Sequence, residues 1–256
     1  MELIVALIGT LASLIAIVEF GRRFLRRSRS TDVDGLDEPT QAVRRLAAGV
    51  QLTHFQKCLG DPTFRTEGKE FDEHIFVHDA FYVQAITDRS GTVTLYSVTT
   101  RAEDFAPVLD IRQGTPTLKV TLGRDTFAAV GTDPVSRGGY LGARRFHYWE
   151  SHYLGNPGLY QTYIVSLNDA GYIGASGDLV AATGALRVLE SEEELAAAAK
   201  GEARELLDRF AAETVVNTYS VTSAHFPLER LQCKRFGPDK DQVRVIDVAD
   251  AQSDPD

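Results

Sequence analysis

The sequence predicts an α+β protein: an N-terminal transmembrane helix, then tandem helix-helix-sheet units, then a C-terminal helix with strands. Three observations carry that expectation. A charge-free apolar run opens the chain, a helix-stop and hairpin pattern occurs twice, and a glutamate-led amphipathic stretch follows both. The organisation expected is an anchor over 1–21, a basic juxtamembrane segment and linker over 22–37, ααβββ units over 38–110 and 111–180, a C-terminal helix and strands over 181–248, and a disordered tail over 249–256.

From Leu3 to Val18 the chain reads LIVALIGTLASLIAIV, with Glu19 and Phe20 following. A helix of this length rises ~1.5 Å per residue and spans about 24 to 30 Å, the short end of a hydrocarbon core. Glu2 precedes the run, and Arg22, Arg23, Arg26, Arg27 and Arg29 follow it. A secretory signal has the opposite order, with its basic residues first. The preference of arginine for the cytoplasmic side therefore predicts a single-pass protein of the cell inner membrane. Residues 3–20 meet the lipid bilayer and the body stays in the cytoplasm. Thr10 and Ser13 are too few to give a surface-lying helix its polar face. Residues 30–38, STDVDGLDE, suit a flexible tether.

The charge balance narrows the partners. Of 27 basic and 36 acidic residues, five arginines and two glutamates fall in the first 30, which leaves 22 against 34 and a net charge of −12. Such a body repels phosphate backbones, so no nucleic acid is expected as a partner. The two cysteines, Cys58 and Cys233, have no zinc-ligand spacing and read as buried thiols in a reducing compartment, with a disulfide between them as the alternative.

The body opens with Asp37, Glu38 and Pro39, which start a short helix through Val43 and Leu46 that stops at Gly49. Thr53 can cap a second helix, which buries Phe55, Cys58 and Leu59 and ends at Gly60, Asp61 and Pro62. Strand chemistry follows at 74–78, 81–87 and 92–100, the last two joined by Asp88, Arg89, Ser90 and Gly91. The order then recurs. Asp125 can cap a helix with Phe127 and Val130, and Gly131, Asp133 and Pro134 end it at the spacing seen from Phe55 to Pro62. Strands are expected again at 145–153 and 160–167, with Asn168 to Gly171 turning into Tyr172 and Ile173.

Helix, helix and meandering sheet, with Phe, a glycine stop and a proline ending the second helix, resembles the small domain of the SmpA/OmlA (BamE-type) outer-membrane lipoproteins. A tandem of such units is similar to the β-lactamase inhibitor protein. The resemblance covers roughly residues 38–175 and implies a module that presents a sheet face to another protein. It departs from the lipoproteins in lacking an N-terminal lipobox cysteine.

Ser191, with Glu192 to Glu194 in its first turn, begins a helix that reaches about Val216. Strands are expected at 218–222 and 242–248, separated by the loop HFPLERLQCKRFGPDKD. Within it, Phe236 to Asp239 form a turn, and Arg244 pairs with a neighbouring carboxylate.

Catalytic signatures such as a P-loop, HExxH or GxSxG do not occur. The densest cluster of chemistry is His147 to Tyr153. In a strand His147, Trp149, Ser151 and Tyr153 share one face and Tyr148, Glu150 and His152 the other, so the two histidines separate. His74 and His78 share a face but sit ~13 Å apart along a strand, too far for one metal. No cofactor and no metal are expected. The favoured reading is a membrane-tethered binding or sensory module that recognises a protein partner or small ligand through Trp149, Tyr153, Asn156 and Tyr160. The alternative is a hydrolase or transferase using the aromatic and histidine strand at 147–153.

Overall fold

In the computed structural model the described residues are 38–111, 117–156, 160–191, 197–224, 226–231 and 235–244. The chain divides into two compact units, 1–41 and 42–256, and nearly every described residue belongs to the second. The helices are α1 (Glu38–Arg44), α2 (Leu52–Leu59), α3 (Leu179–Glu190) and α4 (Ala197–Glu213), with single 3-10 turns at Phe127–Val130 and Leu228–Arg230. The strands are β1 (Phe64–Glu67), β2 (Asp72–Val77), β3 (Phe81–Thr87), β4 (Val93–Thr100), β5 (Val108–Ile111), β6 (Leu118–Thr121), β7 (Ser136–Leu141), β8 (Phe146–Leu154), β9 (Gln161–Asn168) and β10 (Thr218–Thr222).

Eight strands form one antiparallel sheet in the order β1-β2-β3-β4-β10-β9-β8-β7, and β5 pairs with β6 apart from it. Two meanders are thus sewn together by β10, the last of the described strands. This overturns the α+β tandem expectation: the domain is mostly sheet with few helices, and strands from both expected units lie in one continuous sheet. The second helix pair is also missing among the described residues. Phe127–Val130 makes only a 3-10 turn before Gly131, and the Asp125 carboxylate accepts from the Thr121 N–H at 2.7 Å instead of capping a helix.

Other elements shift for local reasons. Ser191 caps the C-terminus of α3, and α4 is described from Ala197; residues 192–196, on which the start expected at Ser191 depends, lie outside the described residues. Tyr172 leaves the hairpin line because its N–H donates to the Thr100 carbonyl. Residues 240–244 are helical, with the Asp241 N–H donating to the Asp239 carboxylate, so the strand expected from Gln242 is corrected over its described part.

Among the described residues no helix is long and apolar enough to cross a membrane. The single-pass inner-membrane placement is corrected accordingly. Residues 3–20 and Arg22, Arg23, Arg26, Arg27 and Arg29, on which it rested, lie outside the described residues.

The main core fills the face of the sheet that carries the helices. Phe55 of α2 meets Tyr96 edge-on, with centroids 5.6 Å apart, and Phe210 of α4 meets Tyr148 at 4.8 Å. Leu186 of α3 approaches Gly139 of β7. At the β3–β4 hairpin one Asp88 oxygen accepts from the Ser90 N–H, the Ser90 hydroxyl and the Thr92 N–H, while Gly91 takes φ +79°. Those bonds hold its carboxyl below the ordinary range, the Ser90 hydroxyl first.

Phe55 has no exposed surface and anchors α2 to two strands, so Phe55→Ala leaves a void that the short helix cannot collapse into. Urea unfolding should show a loss of about 3–5 kcal/mol, while Val135→Ala, at 72% exposure, stays within about 0.5 kcal/mol of the parent.

Candidate functional site: a hydroxyl-lined sheet face

The opposite face of the sheet is built from small polar side chains. Alternation along the strands sends Tyr96 and Val98 of β4, and Tyr219 and Val221 of β10, to the helices. Their neighbours point the other way. Cross-strand register then aligns Gln84, Ser97, Ser220, Ile164 and Ser151 in one row, and Tyr82, Thr99, Thr218, Ser166 and Trp149 in the next. The rows cross-link: Ser220 donates to Ser97 at 2.7 Å, Ser97 to Gln84 at 3.1 Å and Thr218 to Thr99 at 2.8 Å.

Buried hydroxyls need partners and a cover. The cover comes from the C-terminal part of the chain. Phe236 packs edge-on to Trp149 with centroids 5.6 Å apart, in an apolar cluster with Leu95, Ile164 and Leu228. Around it the sheet addresses main-chain atoms. The Gly237 N–H donates to Gln84 at 2.9 Å, the Phe236 N–H to His147 Nε2 at 3.3 Å, and Asn168 Nδ2 to the carbonyls of Phe236 and Pro238 at 2.9 and 3.2 Å. Gly237 sits at φ +99°, and a Cβ there would lie 2.6 Å from Thr99 Oγ1 and 2.7 Å from Asn168 Nδ2. Only glycine passes that point.

Asn168 is itself held in place. Its N–H donates to Asn217 Oδ1 at 2.8 Å, and Asn217 Nδ2 donates back to the Asn168 carbonyl at 2.7 Å. Ser166 differs from its neighbours: its Oγ is buried and has no hydrogen-bond partner among the described residues. Beside the covering segment, a cleft of about 280 Å³ is lined by residues 68–73, Arg230, Leu231 and Arg235, and reaches Gln84. Arg230 lies over the Phe71 ring at 5.2 Å and pairs with Glu70 at 3.2 Å. The segment is fastened at its far end, where Asp239 is clamped by Arg145 at 3.0 Å and also by Arg235, and Asp241 is clamped by Arg145.

The four residues expected to form a binding site are divided. Trp149 is only 6% exposed, beneath Phe236, and a Cβ on Gly138 would strike its ring. Tyr153 and Tyr160 stack at 5.2 Å at the end of the β8–β9 hairpin, with Tyr153 48% exposed and Asn156 exposed nearby. Pro157 and Gly158 of that loop lie outside the described residues, as do Cys233 and Glu192 to Glu194. His74 is buried and bonded to Thr87 at 3.2 Å. Cys58 is half-buried, and burial raises its thiol pKa.

The reverse side of β8 carries a second polar group. Glu150 is 3% exposed, and its Oε1 accepts from Tyr148 at 2.8 Å and from Arg137 Nε at 3.0 Å. Arg137 also reaches Asp208 of α4 at 3.6 Å, and with Thr132 and Asp133 these residues line an open cleft of about 730 Å³. Burial raises the Glu150 pKa, opposed by Arg137. His147 lies on the other side of the sheet, so the three groups of the catalytic alternative do not converge. No group of described residues has the make-up of a metal site.

The residues that sequence reasoning missed as site residues are Gln84, Ser166, Asn168, Thr218, Ser220 and Phe236. A signal for Thr218 and Ser220 exists in the Ser/Thr alternation of β4 and β10. No family model, curated protein or solved structure matches the chain.

Both buried imidazoles of β8 are held neutral. Burial pushes His147 down to about 3 and His152 to about 4, from an ordinary 6.5. Depressed values favour the neutral form in the fold, so this stability is present above pH 6.5 and is lost as pH falls toward 4 and then 3, as the unfolded chain binds the extra protons. Each such proton adds a slope of about 1.4 kcal/mol per pH unit. Urea unfolding across that window should show His147→Gln and His152→Gln each flattening the slope by about one proton; parent-like slopes in both would place the acid sensitivity elsewhere.

Proposed function

We propose that the chain is a binding module that recognises an extended stretch of another protein with the hydroxyl-lined face of its sheet. One observation carries this reading: side chains from β3, β8 and β9 direct their hydrogen bonds to the main chain of Phe236 to Pro238. A surface that grips peptide bonds, and takes one aromatic side chain into a pocket, is equipped for extended peptides in general. The stacked Tyr153 and Tyr160 lie on the same face of the hairpin as Trp149 and extend the surface outward.

The test selects phage-displayed peptides on the full chain and measures their affinity for variants. Thr99→Val keeps the shape and deletes a hydroxyl under Gly237, and Ser166→Ala deletes the unpartnered one. Both should weaken the selected peptides about tenfold, equivalent to about 1.4 kcal/mol. Ser166→Ala should leave thermal stability unchanged or raise it, because an unsatisfied buried hydroxyl costs about 1–3 kcal/mol. The reading fails if no peptide is recovered, or if binding ignores both variants and is lost only in Tyr153→Ala and Tyr160→Ala.

A second reading rests on Glu150. A buried carboxyl with a raised pKa beside an arginine, on the wall of an open cleft, is suited to give up a proton in hydrolysis or group transfer. Glu150→Gln keeps the acceptor for Tyr148 and Arg137 while removing the proton. Any hydrolytic turnover of ester, phosphoester or glycoside reporters should vanish in that variant with its fold intact; turnover that survives assigns the activity to other residues.

A further inference from the structure

Resting on the peptide-recognition reading, we propose that the face selects peptides in which an aromatic residue is followed by glycine and, two positions after that glycine, by a carboxylate, and that residues 235–241 are a latched self-ligand which such a partner displaces. Each position follows from a contact. The aromatic residue stands where Phe236 fills the pocket of Trp149, Leu95 and Ile164 with no exposed surface. Glycine is required by the approach of Thr99 and Asn168 and by φ +99°. The carboxylate is read by Arg145, the receptor-side cation that holds both Asp239 and Asp241.

The self-ligand is an imperfect fit. It leaves Ser166 Oγ unsatisfied among the described residues, at a site with no exposed surface, so a peptide offering a donor or acceptor there gains a bond the segment lacks. Part of its latch is exposed: Arg145 and Asp241 stand at 39% and 58%, and such a pair is screened by salt, whereas Asp239 at 20% is the more buried half, held by Arg145 and Arg235. The 280 Å³ cleft beside Arg235 reaches Gln84, which receives the Gly237 N–H, and gives an incoming chain a way in beside the segment. Closure lowers the apparent affinity for any free peptide by the fraction of chains that are open.

The experiment uses the full chain, with Trp149, its single tryptophan, as reporter. The probe is a capped peptide of residues 235–244, RFGPDKDQVR. Two variants loosen only the covering segment: Asp239→Asn, and Asp239→Asn with Phe236→Ala. Amide hydrogen exchange at Phe236 and Gly237 follows the release. The probe should bind the double variant at least ~10-fold more tightly than the parent, with Asp239→Asn between them. The same peptide carrying Gly237→Val should bind at least ~10-fold more weakly than the probe. If exchange shows the segment released but affinity does not rise, or if the segment stays protected in both variants, the latch is overturned. If the released face takes unrelated selected peptides as tightly as the probe, the sequence preference falls and peptide recognition stands. If the released face takes no peptide at all, both fall together.

Discussion

Five residues, Thr218–Thr222, hold the sheet together. Among the described strands β10 alone pairs with both meanders, β4 on one side and β9 on the other. Its alternation serves two environments at once: Tyr219 and Val221 enter the helix-side core, while Thr218 and Ser220 bond across to Thr99 and Ser97. A hydroxyl in the middle of an eight-stranded sheet is tolerable only if it finds a partner and if something dry lies over it. The pairing of β10 meets the first condition, and the segment around Phe236 meets the second. The hydroxyl face, its cover and the Asn168–Asn217 bonds at the end of β9 all follow from where this strand inserts.

Strand β8 illustrates how one stretch of sequence supplies two unrelated surroundings. Odd-numbered residues from His147 face the cover, and even-numbered ones from Tyr148 face α4. Both sides are dry enough to move protons: burial pushes the imidazoles of His147 and His152 down and the carboxyl of Glu150 up. The neutral His147 accepts from the Phe236 N–H, which a protonated ring would not do. Its protonation state and the seating of the cover are therefore linked, and acid loosens both.

The legible parts of the fold are those fixed by near neighbours. Helix α2 is readable because Phe55 and Leu59 sit one turn apart and Gly60 and Pro62 end it; the β3–β4 hairpin is readable because Asp88 and Gly91 dictate the turn. The illegible parts depend on distance along the chain. Thr218–Thr222 reads as a strand, but no local signal places it between two meanders that ended long before it. Phe127–Val130 copies the spacing of α2 yet forms a single 3-10 turn, since four residues ending at Gly131 cannot close two helical turns. Trp149 looks like an exposed recognition residue until the chain returns at Phe236 to bury it. The alternation of Ser and Thr in β4 and β10 was present to be read, but polar alternation ordinarily marks a solvated face, and the cover is supplied by residues more than a dozen positions beyond the last strand.

A sheet meant only to be stable would fill that face with valine and isoleucine, and replacing paired polar groups by apolar ones of the same shape costs little. Hydroxyls and amides at these positions bring directionality instead. Asn168 binds two carbonyls of one crossing strand, Gln84 one N–H, and Thr99 leaves room only for glycine. Such a face discriminates among main-chain paths far more sharply than a greasy one, because a chain in the wrong register strands buried polar atoms. The unsatisfied Ser166 hydroxyl fits the same logic: the covering segment matches most of what the face offers and leaves one group unmet. Complementarity that is close but incomplete is the condition under which a tethered segment can hold the face closed and still yield to a better-matched chain.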